Sequence, residues 1–173
     1  MDKTTGLIER DGKEYNCCES TLMIINKEHP LPGFESNIMK VASPFGGGVG
    51  GWGSACGAAT GIAMALGLVY GTDGNESLEE FLDKRKQVNE ISKSLMMEFE
   101  ESFGSVNCND LLGMDRRTEG FRAQYNEMKH AQKRTSGLDI CDECINWAAK
   151  RTLETLGEGW TSLFTSFFLK PLR

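Results

Sequence analysis

The stretch from Val41 to Thr72, VASPFGGGVGGWGSACGAATGIAMALGLVYGT, contains no charged residue and constrains the fold more than any other part of the chain. Its first part, Phe45 to Gly53, is a glycine-rich loop, and its second, Ser54 to Tyr70, predicts an apolar helix with Cys56 in the first turn. Gly57, Gly61 and Ala65 recur every four residues, which leaves one face of that helix almost bare. Each interior Gly costs a helix roughly 1 kcal/mol relative to Ala. A bare face is therefore kept where another backbone or a bulky group packs directly on it. The stretch is expected to be the central helix of a bundle.

A chain of 173 residues is long enough for one domain with a real core. Proline is scarce, alternating β-branched runs are absent, and apolar residues repeat at helical spacing, so the class is all-α. A formal charge of −6 without a Lys/Arg cluster argues against nucleic acid as the main partner. The first residues, MDKTTGLIERDGKE, are charged and lack an apolar core, so no secretory leader is expected and the cytoplasm follows. The continuous apolar part, Ala55 to Tyr70, falls short of the about 20 residues a membrane span needs, so membrane insertion is not expected.

Residues 1–13 read as a frayed lead-in, 14–156 as the helical domain and 157–173 as an apolar tail, with the tail expected either to complete the core or to form a homo-oligomer contact. Asn16 with Glu19 three residues on has the capping-box arrangement, and His29-Pro30 ends that first helix. A short helix is expected over Phe34 to Ala42, with Gly71 closing the central helix in a left-handed cap. Asn75 to Phe103 should be the longest helix, buried along Leu78, Phe81, Leu82, Val88, Leu95, Phe99 and Phe103. A polar helix over Arg116 to Arg134 carries Phe121, Tyr125 and Met128 at spacings of four and three. Asp139 caps a last helix, Ile140 to Leu156.

Four cysteines share one local address. Cys17 follows Asn16, Cys56 follows Ser54 by two, Cys108 follows Asn107, and Cys141 follows Asp139 by two, each behind a residue type favoured as a helix N-cap. Each thiol should lie in a first helical turn, where free N–H groups and roughly half a positive charge favour thiolate. One returning helix separates each consecutive pair, so short connections would turn all four cysteine-bearing starts to one end of the bundle. Asp139 and Asn107 are read as caps, and His29 and His130 as surface histidines.

Three chemistries could use such a gathering. A Cys-ligated iron–sulfur cluster takes four thiolates and N–H donors that tune it. Structural zinc also takes four cysteines, usually as paired CxxC knuckles, and only Cys141 and Cys144 have that spacing. Thiol–disulfide exchange or sulfur carriage would use Cys141 and Cys144. With no metal at all, the thiols would be buried core residues.

The string FGGGVGGWGSACGAATGIAMALGLVYG, with NCCES before it and FGSVNCNDLLG and CDECINWAAKRTLETL after it, closely resembles the C_GCAxxG_C_C family of redox-active proteins over about Tyr15 to Leu156. The resemblance maps the four naming cysteines onto Cys17, Cys56, Cys108 and Cys141. A related domain occurs in split-Soret cytochrome c, where a [2Fe-2S] centre has been proposed. By that likeness the protein is expected to be a small electron carrier, more a redox accessory than a stand-alone enzyme, serving a redox partner protein. It would hold an iron–sulfur cluster, [2Fe-2S] rather than [4Fe-4S], on those four cysteines. Cys18 and Cys144 are additional and either could replace a neighbour. Gly46, Gly47, Gly48, Gly50, Gly51 and Gly57 are expected to bring backbone close to the cluster or to a docking partner. Ile145 follows Cys144, so the CxxCH of covalent haem attachment is missing.

Overall fold

Asn16 opens the first helix as expected, in the computed structural model, which describes residues 6–157. Its side-chain oxygen accepts the backbone N–H groups of Cys18 and Glu19 at 2.9 and 3.1 Å, and Glu19 accepts the Asn16 N–H at 2.8 Å. This start carries helix α1 (Cys17–Glu28), which ends at His29 before Pro30. Helix α2 (Ser36–Ala42) runs into a turn of 3-10 helix, Ser43–Phe45. After the glycine loop come α3 (Gly57–Tyr70), α4 (Leu78–Phe103), the short α5 (Cys108–Leu112), α6 (Phe121–Ser136) and α7 (Ile140–Gly157). The protein is predominantly helical.

The core forms where α1, α3 and α7 pack on one another and α4 covers α3 and α7. Leu22, Ile25, Ile62, Leu66, Leu95, Phe99 and Ile145 are fully buried there. The bare face of α3 is filled by α1. A Cβ placed on Gly57 would stand 2.8 Å from the Cys17 Cβ, and one on Gly61 would stand 2.9 Å from the Thr21 Cβ. Positions 57 and 61 thus meet 17 and 21 in the same order, so α1 and α3 run parallel and their starts share one end.

Several local expectations need correction. Residues 6–13 are pinned rather than frayed. Strands β1 (Glu9–Arg10) and β2 (Lys13–Glu14) pair across Asp11 and Gly12, both at positive φ, the two-residue turn that Asp-Gly favours. Ahead of that ribbon, Gly6 and Leu7 donate their N–H groups to Asn146 and Asp142 of α7. Helix α3 begins at Gly57, so Cys56 is its N-cap residue and does not lie inside the first turn. Gly71 is extended, with φ −72° and ψ 174°, and caps without a left-handed turn.

Helix α4 starts at Leu78, after a Ser77–Glu80 capping box. Leu78 and Leu82 lie on the expected stripe yet are 74% and 56% exposed, because the first turns of α4 project beyond the core; Ile91 is buried instead. Residues 116–120 form turns, and α6 runs on through Ser136 to a left-handed Gly137. No helix among the described residues is long and apolar enough to cross a membrane. Of the tail expected over 157–173, Gly157 belongs to α7, and residues 158–173, expected to serve the core or an oligomer contact, lie outside the described residues.

Candidate functional site

The loop that feeds α3 is built from left-handed backbone. Gly47, Gly48, Val49, Gly50 and Gly51 follow one another with φ between 58° and 75°, a conformation that glycine adopts without steric cost. The coil turns the chain back on itself, and Gly53 and Ser54 donate their N–H groups to the Gly47 and Gly48 carbonyls, both at 3.0 Å. Residues 53–56 then lie antiparallel to 106–109. The Cys56 N–H meets the Val106 carbonyl at 2.8 Å, the Cys108 N–H meets the Ser54 carbonyl at 2.7 Å, and Asn109 N–H meets Gly53 at 3.0 Å. This ladder sets Cys56 opposite Val106 and Cys108 opposite Ser54, so the two cysteines are diagonal neighbours although they are far apart in sequence.

Cys17 and Cys141 complete the gathering. Asn16 sets the first turn of α1, and its side-chain amide donates to the Ser43 carbonyl at 2.9 Å, tying that turn to the loop. Asp139 and Asp142 exchange hydrogen bonds between side chain and backbone at 3.2 and 3.0 Å, and this reciprocal cap starts α7. The thiol of Cys17 is a hydrogen-bonding partner of Cys141 and lies within electrostatic reach of Cys56 and Cys108. Cys144 is the partner of Cys56 and senses Cys141 as well. Five thiols from α1, the start of α3, α5 and α7 therefore converge at one end of the bundle.

Cys18 turns to another side of α1, although it too lies within electrostatic reach of Cys56. Sitting about 100° further round α1 than Cys17, it is fully buried, with its sulfur 3.6 Å from that of Met64. Burial pushes its thiol up to about 11, with the nearby Thr60 side chain opposing.

The loop glycines divide into two groups. Gly57 lies against Cys17, and a Cβ on Gly48 would come 2.8 Å from the Cys108 Cβ. Gly46 abuts Asn16, and Gly47 abuts the guanidinium of Arg116. Gly50 and Gly51 have open space where a Cβ would go.

Each thiol responds to its neighbours. The hydrogen bond from Cys144, against burial and with help from the Ala59 and Ala58 amides, brings the Cys56 thiol down to about 7. The Cys56 side chain closes no full capping hydrogen bond, so the amides act as nearby dipoles. Cys141 is also lowered, by its hydrogen bond with Cys17 and, opposing burial, by the hydroxyl of Tyr125. The donors of the two pairs shift the other way: Cys17 is raised by its bond to Cys141 and by burial, and Cys144 by its bond to Cys56 and by burial. Burial lifts Cys108 to about 12, although the charge of Arg116 pulls against it.

Two side chains at this site were missed by the sequence reading. Arg116 reaches Cys108 from the turn after α5, and the Tyr125 hydroxyl lies 3.5 Å from the Cys141 sulfur. Their segment reads as a polar helix with a small apolar face. The spacing of Phe121 and Tyr125 marks that face without saying that it packs over the thiols, beside Cys108, Leu112 and Cys141.

The protein is a helical bundle with a cysteine-centred site, its thiols drawn from separate helix starts to one end. Residues 15–155 match the family model described as "Putative redox-active protein (C_GCAxxG_C_C)", and the chain belongs to that family. No curated protein and no solved structure matches the chain.

Proposed function

We propose that the protein is an electron carrier that holds an iron–sulfur cluster, [2Fe-2S] rather than [4Fe-4S], on Cys17, Cys56, Cys108 and Cys141, and passes electrons to a redox partner protein. The observation that carries this reading is the convergence of those thiols from four separate helix starts. The donor set fits such a group. Thiolates are the ligands iron–sulfur centres require, and nearby N–H donors tune them; the amides of Ala58 and Ala59 supply such dipoles at Cys56.

As the thiols now stand, paired with one another, no three His, Cys, Asp or Glu side chains among the described residues form a ready-made site for a single metal ion. Loading requires the thiols to release their protons, since metal binds thiolate. Cys56 and Cys141 are the two thiols that their neighbours lower. Cys144 remains beside Cys56 as a donor to its sulfur. When bound, the cluster supplies one-electron chemistry without bond making at the protein. The chain's own work is to hold the sulfurs, keep water away and direct amides at them.

The test is anaerobic purification followed by a visible spectrum and assays for iron, zinc and acid-labile sulfide. Broad visible absorption with iron and sulfide in equal amounts is expected. Stoichiometric zinc without sulfide, or a colourless protein that takes up neither iron nor sulfide on reconstitution, overturns the reading.

A further inference from the structure

We propose that Arg116 and Tyr125 set the reduction equilibrium of the group held by the cysteines, Arg116 by fixing a positive charge beside Cys108 and Tyr125 by presenting its hydroxyl to Cys141. The inference rests on the cluster reading above and adds to it two residues that act through the ligands.

The geometry holds Arg116 in place from several sides. Its backbone N–H donates to the Asn109 side-chain oxygen at 3.0 Å, one residue beyond Cys108. Its guanidinium carbon sits 4.6 Å from the centre of the Phe121 ring and 5.8 Å from that of Tyr125. Those two rings are themselves stacked, with centroids 5.4 Å apart. On the other side lies the glycine coil. A Cβ on Gly47 would stand 2.6 Å from an Arg116 terminal nitrogen, and one on its neighbour Gly48 would stand 2.8 Å from the Cys108 Cβ. The coil therefore lets the guanidinium lie over Gly47 while Cys108 lies against the adjacent Gly48. The Nε of Arg116 is buried without a hydrogen-bond partner among the described residues.

A cation confined in that way, between rings and backbone, is screened little by solvent. Its partner across the stack, the Tyr125 hydroxyl, lies 3.5 Å from the Cys141 sulfur. Reduction brings one electron from the redox partner, with no bond formed or broken, and lowers the net charge within the ring of sulfurs by one. Arg116 favours that more negative state by Coulomb attraction, and a hydroxyl hydrogen bond to sulfur does so by withdrawing charge. Removing either must make the centre harder to reduce.

The experiment compares midpoint potentials of reconstituted wild type, Arg116→Gln, Arg116→Lys and Tyr125→Phe, each with iron and sulfide contents and visible spectrum recorded. Arg116→Gln should shift the reduction equilibrium against the reduced form at least tenfold, about 59 mV for one electron. Arg116→Lys should stay nearer to wild type because the charge is kept. Tyr125→Phe, which preserves the ring stack, should shift the equilibrium a few-fold in the same direction. A wild type that loads while Arg116→Gln and Tyr125→Phe both load and keep the parental potential overturns this inference alone. Should Arg116→Gln fail to load, Tyr125→Phe decides, and a parental potential in it overturns the inference. A wild type that takes up no iron and sulfide overturns the cluster reading and this inference with it.

Discussion

Gly57 of α3 lies against Cys17 of α1 so closely that a Cβ on the glycine would stand 2.8 Å from the cysteine Cβ, 3.1 Å from the Cys18 nitrogen and 3.2 Å from the Phe45 carbonyl oxygen. The contact brings the starts of the two helices together and so sets the spacing of the thiols they carry. Gly57→Ala should push the helix starts apart, destabilise the protein by about 1–3 kcal/mol as overpacking does and lower iron uptake. Gly67, in the same helix, has open space where a Cβ would go. Gly67→Ala should instead stabilise by up to about 1 kcal/mol through helix propensity. Urea unfolding of both variants checks the contrast, and equal effects would contradict the packing argument.

The start of α7 depends on a buried carboxylate. Asp139 is fully buried, caps Asp142 and pairs with Lys129 and Lys133 at 3.5 and 3.4 Å. Asp139→Ala removes a cap and leaves Lys129 without that partner, although Lys133 keeps Asp142 at 3.0 Å. A loss of about 1–3 kcal/mol in chemical unfolding is expected. Cysteine protection from alkylation should fall at Cys141 before it falls at Cys18, which is fully buried against α3.

Glu76 accepts hydrogen bonds from Lys84 at 2.9 Å and from the Asp73 and Gly74 amides at 3.0 and 2.8 Å, and these hold its carboxyl down to about 2. A depressed folded value means that the stabilisation is complete above the unfolded pKa of about 4.3 and is lost as pH falls towards the folded one. Glu76→Gln should therefore lower the melting temperature at pH 7, and the gap to wild type should close between about pH 4 and pH 2. Added salt should narrow the gap at pH 7, since the Lys84 side chain is 44% exposed and the pair is screened from that side. Melting curves across pH decide it, and a gap that persists at pH 2 would contradict the assignment.

Much of this architecture was legible because its signals are local. The Asn16–Glu19 box and the Asn107 and Asp139 caps are read from a few adjacent residues, and all three occur. The bare face of α3 declared that something must pack on it, though not that α1 would. Misreadings arose where distant parts meet. Cys56 is an N-cap and not a first-turn residue because residues 53–56 are held extended by their ladder to 106–109, which no periodicity announces. Leu78 and Leu82 repeat correctly on α4, yet spacing defines a face and not whether another element lies opposite it. Arg116 was passed over because its place depends on the left-handed coil at Gly47 and Gly48. The Asp11-Gly12 turn was a local signal, overlooked in a segment read as lead-in.

The central claim is tested most directly by iron and acid-labile sulfide per chain in single cysteine variants reconstituted side by side. Cys17→Ser, Cys56→Ser, Cys108→Ser and Cys141→Ser should each retain less than about a tenth of the wild-type cluster at unchanged helix content, taking about 1.4 kcal/mol as one decade of binding. Cys18→Ser, altered at a sulfur facing Met64, should load fully. Cys144→Ser should also load, because its hydroxyl can still donate to Cys56. Full loading in any of the first four, or loss of loading in Cys18→Ser with the fold intact, would contradict the account.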